Sequence, residues 1–458
     1  MELEKRFVDF ILDARLENIP REPVGVIKNV VLNNLGAIVG GATSEGCETV
    51  LNMAKAWGGK EEATVLVYGD RLPAYNAALV NGTMARALDI DDHMPPGMHV
   101  GGSALPTALA AAELAGGCSG KEFLTALVLG FDMAIRINSA STYNGFDPSG
   151  VCGIFASIAA GGRILRLNPE QMWNALALGF NRPIQTFQSI VDGTTAVRVG
   201  QGLISQAAIS CIQMAQKGIT GPKNFLEGVY GYFHLYAADK YDPKIITAGL
   251  GETFQLGNVS FKIYPSCGNT IASTDAILGL MDKHNLTPEN VAGINVRITP
   301  YAHNMVGGQF KIGNNPRVDA QFSVQYCVAN ALLRKESLIR HFDESYVRDP
   351  RIVELVKRIH VAPDPALEGG RQGLSLRADM DVATTAGDTH HISIPIPSGF
   401  PGNPLSNEKI AKRFEEAAHY GNRPVPEKNL EKIISIVNQL EQAENVCDLI
   451  PLMLSHHG

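Results

Sequence analysis

Between residues 89 and 99 the sequence Asp89-Ile90-Asp91-Asp92-His93-Met94-Pro95-Pro96-Gly97-Met98-His99 gathers three carboxylates and two imidazoles. Carboxylate and imidazole side chains together do general acid–base work, and an acid on one ring nitrogen fixes which face of the imidazole handles the proton. A second concentration stands far along the chain, Lys262-Ile263-Tyr264-Pro265-Ser266-Cys267. It offers a cation that can hold a carboxylate or protonate an oxygen, two hydroxyls and a thiol. Each of these residues also has a plainer use. Aspartates cap helices, a linker lysine sits in solvent, and a lone cysteine is usually a small buried hydrophobe. The two stretches make a site only if the fold brings them to one cleft.

The elements around them can be read from periodicity. Leu79, Met84 and Leu88 fall at helical spacing before the acidic stretch, and Leu105, Leu109, Ala112 and Leu114 resume it afterwards. Pro95-Pro96, Gly97 and Gly101-Gly102 interrupt the pattern, so the acids and bases belong to a loop between two buried helices. Further helices are predicted after Pro23 (Ile27, Val31, Leu35 and Ile38, stopping at Gly40-Gly41), over 121–137, 153–166 and 169–180, and over 201–217 with Gly218 as the stop. The helix over 169–180 opens on Asn168-Pro169, a cap followed by proline at the first helical position. After Phe261 the texture changes. Ile294, Val296 and Ile298 alternate with polar residues, and 374–382 and 389–396 predict a hairpin around Ala386-Gly387-Asp388. Helical stretches at 271–284 and 320–334 separate these strands. Beyond Pro397 helices return, one capped by Ser406 and ending near Gly421, the other carrying Leu430, Ile433, Val437 and Leu440. The reading is mainly α with an inserted α+β domain: an all-helical domain from 1–261 and 397–458, and a smaller α+β lid domain over 262–396.

Composition narrows the function. At 458 residues, two or three structural units are expected. Hydrophobic residues make up 45% and charged residues 19%, a well-buried globular balance. A net charge of −7 with no Lys/Arg-rich run argues against nucleic acid as a partner. Seven widely spaced cysteines without a C-x-x-C pair disfavour a disulfide framework or zinc ribbon and fit a reducing compartment. The N-terminus leads into an amphipathic pattern (Leu3, Phe7, Phe10, Ile11), not an apolar signal core. No uninterrupted apolar run approaches the ~18 residues of a membrane span. A cytoplasmic chain with no membrane partner is expected. Gly307-Gly308 lacks the spacing of a phosphate loop.

Several pieces recur in a recognisable order: Asn81-Gly82, Ala87-Leu88-Asp89-Ile90-Asp91-Asp92 and His99; Lys262-x-Tyr264-Pro265-Ser266-Cys267; Phe322-Ser323 with Tyr326 and Ala331-Leu332; and Gly402-Asn403-Pro404-Leu405-Ser406. Together they resemble the MmgE/PrpD family, which includes 2-methylcitrate dehydratases, cis-aconitate decarboxylases and iminodisuccinate epimerases. The resemblance implies an all-α domain built from both chain ends, an α+β lid between them, a homodimer, and chemistry without a cofactor on a small di- or tricarboxylate. It carries active-site roles onto Asp89, His99 and Lys262, while His93 falls where relatives often have threonine or serine. Three departures stand out. The chain has Phe146-Asp147-Pro148-Ser149-Gly150 where the family has His-Pro-Thr-Gly, so Asp147 replaces a catalytic histidine. In place of Thr-Lys-x-x-His-x-Gly it has Ala196-Val197-Arg198-Val199-Gly200-Gln201-Gly202, losing the lysine to Val197 and the histidine to Gly200. Arg86 stands where a histidine precedes Ala-Leu-Asp.

The family's reactions share the forming or discharging of carbanionic charge beside a carboxylate, which needs a base at the C–H and cations where negative charge builds. Here His99 is expected as general base or acid, oriented by Asp89, and Lys262 as the carboxylate anchor or proton donor. Arg198 is expected to clamp a second carboxylate. Tyr143 and His93 are secondary proton-transfer candidates, and Tyr264, Ser266, Cys267 and Asp147 are expected to line the substrate. Loss of hydroxide makes a hydro-lyase, loss of carbon dioxide a decarboxylase, and reprotonation on the opposite face an epimerase. Elimination of water, the commonest assignment in the resembling group, is the favoured expectation. Two readings from other classes stay open. One is a metal-dependent hydrolase using Asp89, Asp91, Asp92, His93 and His99. The other is a non-catalytic relative that binds a carboxylate or a protein, suggested by Asp147 and Val197. Tyr301 and His303 are expected on a surface loop, His390-His391 exposed beside the hairpin turn, His456-His457 in a tail, and Arg136 in a structural ion pair.

Overall fold

Small side chains decide how the helices approach one another. A Cβ at Gly40 in the helix Arg21–Gly41 would stand 2.6 Å from the carbonyl oxygen of Ala417, and one at Gly202 would stand 2.2 Å from that of Leu79. Backbones can therefore pack at these points only because glycine has no side chain. The first contact joins Arg21–Gly41 to Asn407–Tyr420, near the other end of the chain. The second joins Ala74–Arg86 to Ala196–Gln216.

The computed structural model describes residues 2–143, 145–182, 185–369 and 375–455. One hydrophobic core runs from Leu3 to Phe261 and takes in Leu405 to Met453, so both chain ends build it. A second runs from Cys267 to Val382. The seam between them is joined by a small shared cluster of Leu88, Ile90, Ala37, Ile339 and Ala417. The second core backs a four-stranded mixed sheet, ordered Ile359–Pro363, Val291–Ile298, Ala378–Thr384, Thr389–Ile394. The first pair is parallel, with Ile294 opposite Ile359. The other two are antiparallel, with Val296 opposite Met380 and Met380 opposite Ile392. The helix Gly268–His284 packs across this sheet.

Most predicted elements are present with shifted ends. The helix expected over 201–217 begins at Ala196, and 320–334 is two helices broken at Phe322-Ser323, where Ser323 caps the second by accepting from Tyr326 N at 3.2 Å. The strand Ile359–Pro363 was not anticipated; five residues ending in proline give too short an alternation. Leu374, the first residue of the expected hairpin, and His456-His457 lie outside the described residues. Two helices, Arg21–Gly41 and Gly120–Ala140, are long and apolar enough to cross a membrane by length and composition, but 72% and 94% of their apolar windows are buried inside the protein, as in core helices. Arg136 is fully buried and pairs with Asp132 at 2.6 Å, its Nη atoms donating to the carbonyls of Ile246, Ala248 and Thr253.

Candidate active site

The helix Ala74–Arg86 buries Leu79, Val80 and Met84 and stops where the chain turns sharply. Asp89 takes a left-handed backbone (φ 56°), a conformation aspartate tolerates better than most side chains. Asp92–His93 then pairs antiparallel with Ser260–Phe261, His93 opposite Ser260. This short ladder clips the acidic loop to the strand just before Lys262. Gln321 adds a second clip, its Nε2 donating to Leu88 O at 2.8 Å and Pro265 O at 3.2 Å. In consequence Lys262 Nζ lies 2.7 Å from Asp89 Oδ1, with both side chains buried. The two sequence clusters meet.

Each of the three aspartates has a different partner. Asp92 accepts from Gly101 N at 3.0 and 3.1 Å and from Asn34 Nδ2 at 2.8 Å, so it caps the helix Gly101–Leu114. A Cβ at Gly101 would fall 2.1 Å from Asp92 Oδ1, which is why the capped position is glycine. Asp89 accepts from Arg86 Nη1 and is ion-paired with Lys262, both at the same oxygen. Asp91 faces the imidazole: its Oδ2 lies 3.1 Å from His99 Nδ1, within ion-pair range but off the line of a hydrogen bond. Its other oxygen is 3.4 Å from Arg86 Nη1. The backbone of His99 is fixed from two sides, its N–H donating to Ser149 Oγ at 3.0 Å and its carbonyl accepting from Gln201 Nε2 at 3.2 Å. The His93 ring stands edge-on to it at 5.3 Å and to Phe400 at 5.5 Å. Gly268 makes room for that ring, since a Cβ there would come within 2.9 Å of His93 Cε1.

Burial and charge work against each other in this cluster. Burial pushes the Asp89 carboxyl up, but Arg86 and Lys262 outweigh it and leave the group below the ordinary carboxylate range. Asp91 behaves the same way, with His99 and Arg86 as the opposing charges. Asp92 goes the other way: burial and the neighbouring Asp91 raise it, more than Asn34 and the Gly101 N–H lower it. His93 is held well below 6.5 by burial and then by His99 and Lys262, so it is neutral. Asp147, capping Pro148–Val151 through Ser149 N at 2.8 Å, is raised by burial against the pull of Ser149, His99 and Arg86. A neutral imidazole, a second imidazole backed by a carboxylate, and two cations thus share one dry space. That arrangement can move a proton and hold negative charge.

Family models match most of the chain: the MmgE/PrpD N-terminal domain over residues 5–244 and the MmgE/PrpD C-terminal domain over residues 264–442. The chain belongs to the MmgE/PrpD family. Among its relatives, cis-aconitate decarboxylase of Homo sapiens is 26% identical over 443 residues, covering 93% of this chain and 89% of that protein. The Aspergillus terreus cis-aconitate decarboxylase is 23% identical over 463 residues (95% and 93%), and the Mus musculus one 25% over 442 residues (93% and 88%).

Within this MmgE/PrpD member the expected residues do not all converge. Asp89, His93, His99 and Lys262 do, with Asp147 beside them. Asp89 does not orient His99, because its oxygen is taken by two cations; Asp91 stands there instead. Arg198 is also corrected. It donates to Glu45 O at 2.8 Å and Asn315 Oδ1 at 3.3 Å, in a separate polar cavity shared with Arg317, Asp343 and Tyr420. The cation beside the acids is Arg86, whose position ahead of Ala87-Leu88-Asp89 was the signal available in the sequence. Tyr264 turns away to Asp275 at 2.9 Å and Ser266 to Thr270 at 2.8 Å. Tyr143 bonds to Tyr232 at 2.9 Å, and burial first raises its hydroxyl well above the ordinary range. Cys267 precedes the helix Gly268–His284, and burial, then Asp89, raise its thiol against Lys262. Tyr301, expected on a surface loop, instead donates to Pro96 O at 2.8 Å across the seam. His303 lines an open groove with Gly307 and Gly308. His390 stacks on His284 at 3.8 Å, and His391 Nδ1 meets Asp381 at 2.8 Å. Among the described residues, no three His, Cys, Asp or Glu side chains are arranged to hold a metal ion; Asp92 is committed to helix amides and Asp89 to cations.

Proposed function

We propose that this chain is a lyase that discharges carbanionic charge next to a carboxylate of a small di- or tricarboxylate, with loss of carbon dioxide as its net reaction. The observation that carries the reading is the buried His99 imidazole with Asp91 on one nitrogen, beside a cluster that holds Lys262 and Arg86. With Nδ1 turned to Asp91, Nε2 is the nitrogen left for substrate. In the reaction the C–C bond to one carboxylate breaks and its electron pair stays on carbon as carbon dioxide leaves. The imidazolium of His99 then delivers its proton to that carbon. Lys262 and Arg86 offset the negative charge of the remaining carboxylates and of the transition state. Decarboxylation is chosen because the human, mouse and Aspergillus relatives are cis-aconitate decarboxylases.

A second reading, elimination of water, is favoured by one contact. Lys262 against Asp89 has a proton to hand to a departing hydroxide, while His99 as base takes the proton from the neighbouring carbon. Proton NMR of the purified chain with a panel of small carboxylates in deuterated buffer tests both. Decarboxylation gives a product one carbon shorter with a deuterium at the former carboxylate-bearing carbon; elimination gives a new alkene. A chain that binds one of these acids yet neither converts it nor exchanges its C–H protons refutes the reading and leaves a non-catalytic carboxylate binder. We extend the proposal to a homodimer, which light scattering on the purified chain checks.

A further inference from the structure

His93, His99, Asp89 and Lys262 are all buried, so a substrate must come to them through an adjoining space. One cavity of about 440 Å³ abuts the cluster, lined by Met94, Pro95, Ser139, Leu376, Arg377 and Phe400 among others. Met94 follows His93 in the chain, and the Phe400 ring stands 5.5 Å from the His93 ring. The wall is fixed to the strand just before the cluster's lysine. Phe261 N donates to Gly399 O at 3.0 Å, Gly399 N to Asn403 O at 2.8 Å, and Asn403 N to Phe400 O at 2.8 Å. Gly399 (φ 89°) allows this approach, since a Cβ there would lie 2.0 Å from Phe261 O. The cavity's charge is one-sided. Arg377 lines it, its Nε is buried without a hydrogen-bond partner among the described residues, and no described acidic side chain lines the space. Arg86 is paired with Asp89 and Arg198 with Glu45, so neither brings an unpaired charge to this cavity. Arg377 is half-buried, and a guanidinium on the wall of a cavity that no described acid lines offers a charged donor to an oxyanion.

We propose that this cavity is the docking pocket for the substrate and that Arg377 receives the carboxylate remote from the reacting carbon. The inference rests on the carboxylate-lyase reading above and adds the residue that selects di- and tricarboxylates over monocarboxylates. Apolar neighbours Met94, Leu376 and Phe400 lower the local dielectric around the pair and so strengthen it.

The test compares the wild-type chain with Arg377→Met and Arg377→Lys, using cis-aconitate as the tricarboxylate and crotonate as the monocarboxylate. Michaelis constants are measured where turnover occurs, and dissociation constants by calorimetry in every case. Arg377→Met should weaken cis-aconitate by roughly ten- to hundredfold, the loss of one charge-assisted hydrogen bond. The effect should fall on KM more than on kcat. Arg377→Lys should recover part of it, and crotonate should weaken by less than about threefold because it lacks the remote carboxylate. Equal loss for both acids in Arg377→Met, with no recovery by lysine, marks a structural role and overturns the inference. Wild-type affinity for cis-aconitate in Arg377→Met overturns it too, while the lyase reading stands. A wild-type chain that binds no carboxylate overturns both.

Discussion

Asp89 carries two cations on one oxygen, and this can be measured. Lys262 Nζ stands 2.7 Å from Asp89 Oδ1; at an effective dielectric of about 20 the attraction is about 6 kcal/mol. Desolvating both ions costs several kcal/mol, so the pair's net worth is much smaller than that. What the geometry fixes is the coupling. In Asp89→Asn, Lys262 is left buried with no other carboxylate in ion-pair range among the described residues, while Arg86 retains Asp91 at 3.4 Å. Stranding a buried charge costs about 3–5 kcal/mol. Lys262→Met removes a cation but leaves Asp89 with Arg86, so its cost is lower, about 1–3 kcal/mol. In the double variant the stranded ammonium is gone, and the total should not exceed that of Asp89→Asn alone. A coupling of at least about 1–3 kcal/mol follows, outside the ~0.5 kcal/mol expected of independent sites. Urea unfolding of the four proteins, followed by circular dichroism, gives the cycle. Additivity within that margin refutes the claim that the acidic loop and the lysine form one buried ionic unit.

Three further outcomes follow from the same geometry. His99→Ala should abolish turnover in a chain that still folds, and Asp91→Asn should lower kcat on the order of a hundredfold or more while shifting the pH profile; full activity in Asp91→Asn returns the orienting role to another group. Gly101→Ala places a methyl carbon 2.1 Å from Asp92 Oδ1 and breaks the helix cap, so the unfolding free energy should drop by at least about 1–3 kcal/mol; an unchanged urea midpoint contradicts the cap. His93 is neutral in the folded chain, with its pKa well below 6.5, and gains a proton on unfolding. Below about pH 6.5 the unfolded state therefore binds the extra proton, and stability falls as pH falls, by about 1.4 kcal/mol per unit for this group. Asp89 and Asp91, whose pKa values are depressed, contribute stability that is lost only at pH values below about 3.8, so the windows separate. His93→Gln should flatten the slope between pH 6.5 and 5, and an equal slope in both proteins refutes the neutral assignment.

The helical pattern was legible because small and apolar residues repeat at helical spacing from Ala74 to Arg86 and from Gly101 to Leu114, and a core of close-packed helices demands little else. The hairpin Ala378–Thr384 to Thr389–Ile394 was legible from alternation around a Gly-containing turn. The parallel strand Ile359–Pro363 was not, since its pairing with Val291–Ile298 is set by a crossover and not by local pattern. At the site, residue types pointed to Asp89, His99 and Lys262, yet partner choice did not follow. Which aspartate meets His99 depends on the left-handed turn at Asp89, which sends that side chain to Arg86 and Lys262 and leaves Asp91 for the imidazole. Arg198 misled because a cation near the expected lysine position looks like its replacement. One residue along a helix turns a side chain by about 100°, and Arg198 accordingly points to Glu45.

Two of the three departures from the family pattern, at Val197 and Gly200 and at Arg86, are matched by neighbours, and this bears on whether the chain is an enzyme. Val197, where the resembling sequences have lysine, lies in an apolar cluster with Ile190 and Val318, a setting in which an ammonium would be costly. At Gly200, where a histidine is usual, the space a side chain would take is filled by Gln185, whose Nε2 lies 1.3 Å from the position of a Cβ. Arg86, in place of a histidine, is the cation that pairs with Asp89 and approaches Asp91. A site decaying after loss of function has no reason to keep compensating pairs; single losses would leave stranded charges, each costing several kcal/mol. Here Val197 and Gly200 leave no stranded charge, Arg86 is paired, and His99 keeps both its carboxylate and its backbone clamps. The rewriting therefore favours altered substrate geometry over lost chemistry. Restoring only one position, as in Gly200→His, should displace Gln185 and destabilise the fold without raising activity, and a gain of activity in that single variant would break the argument.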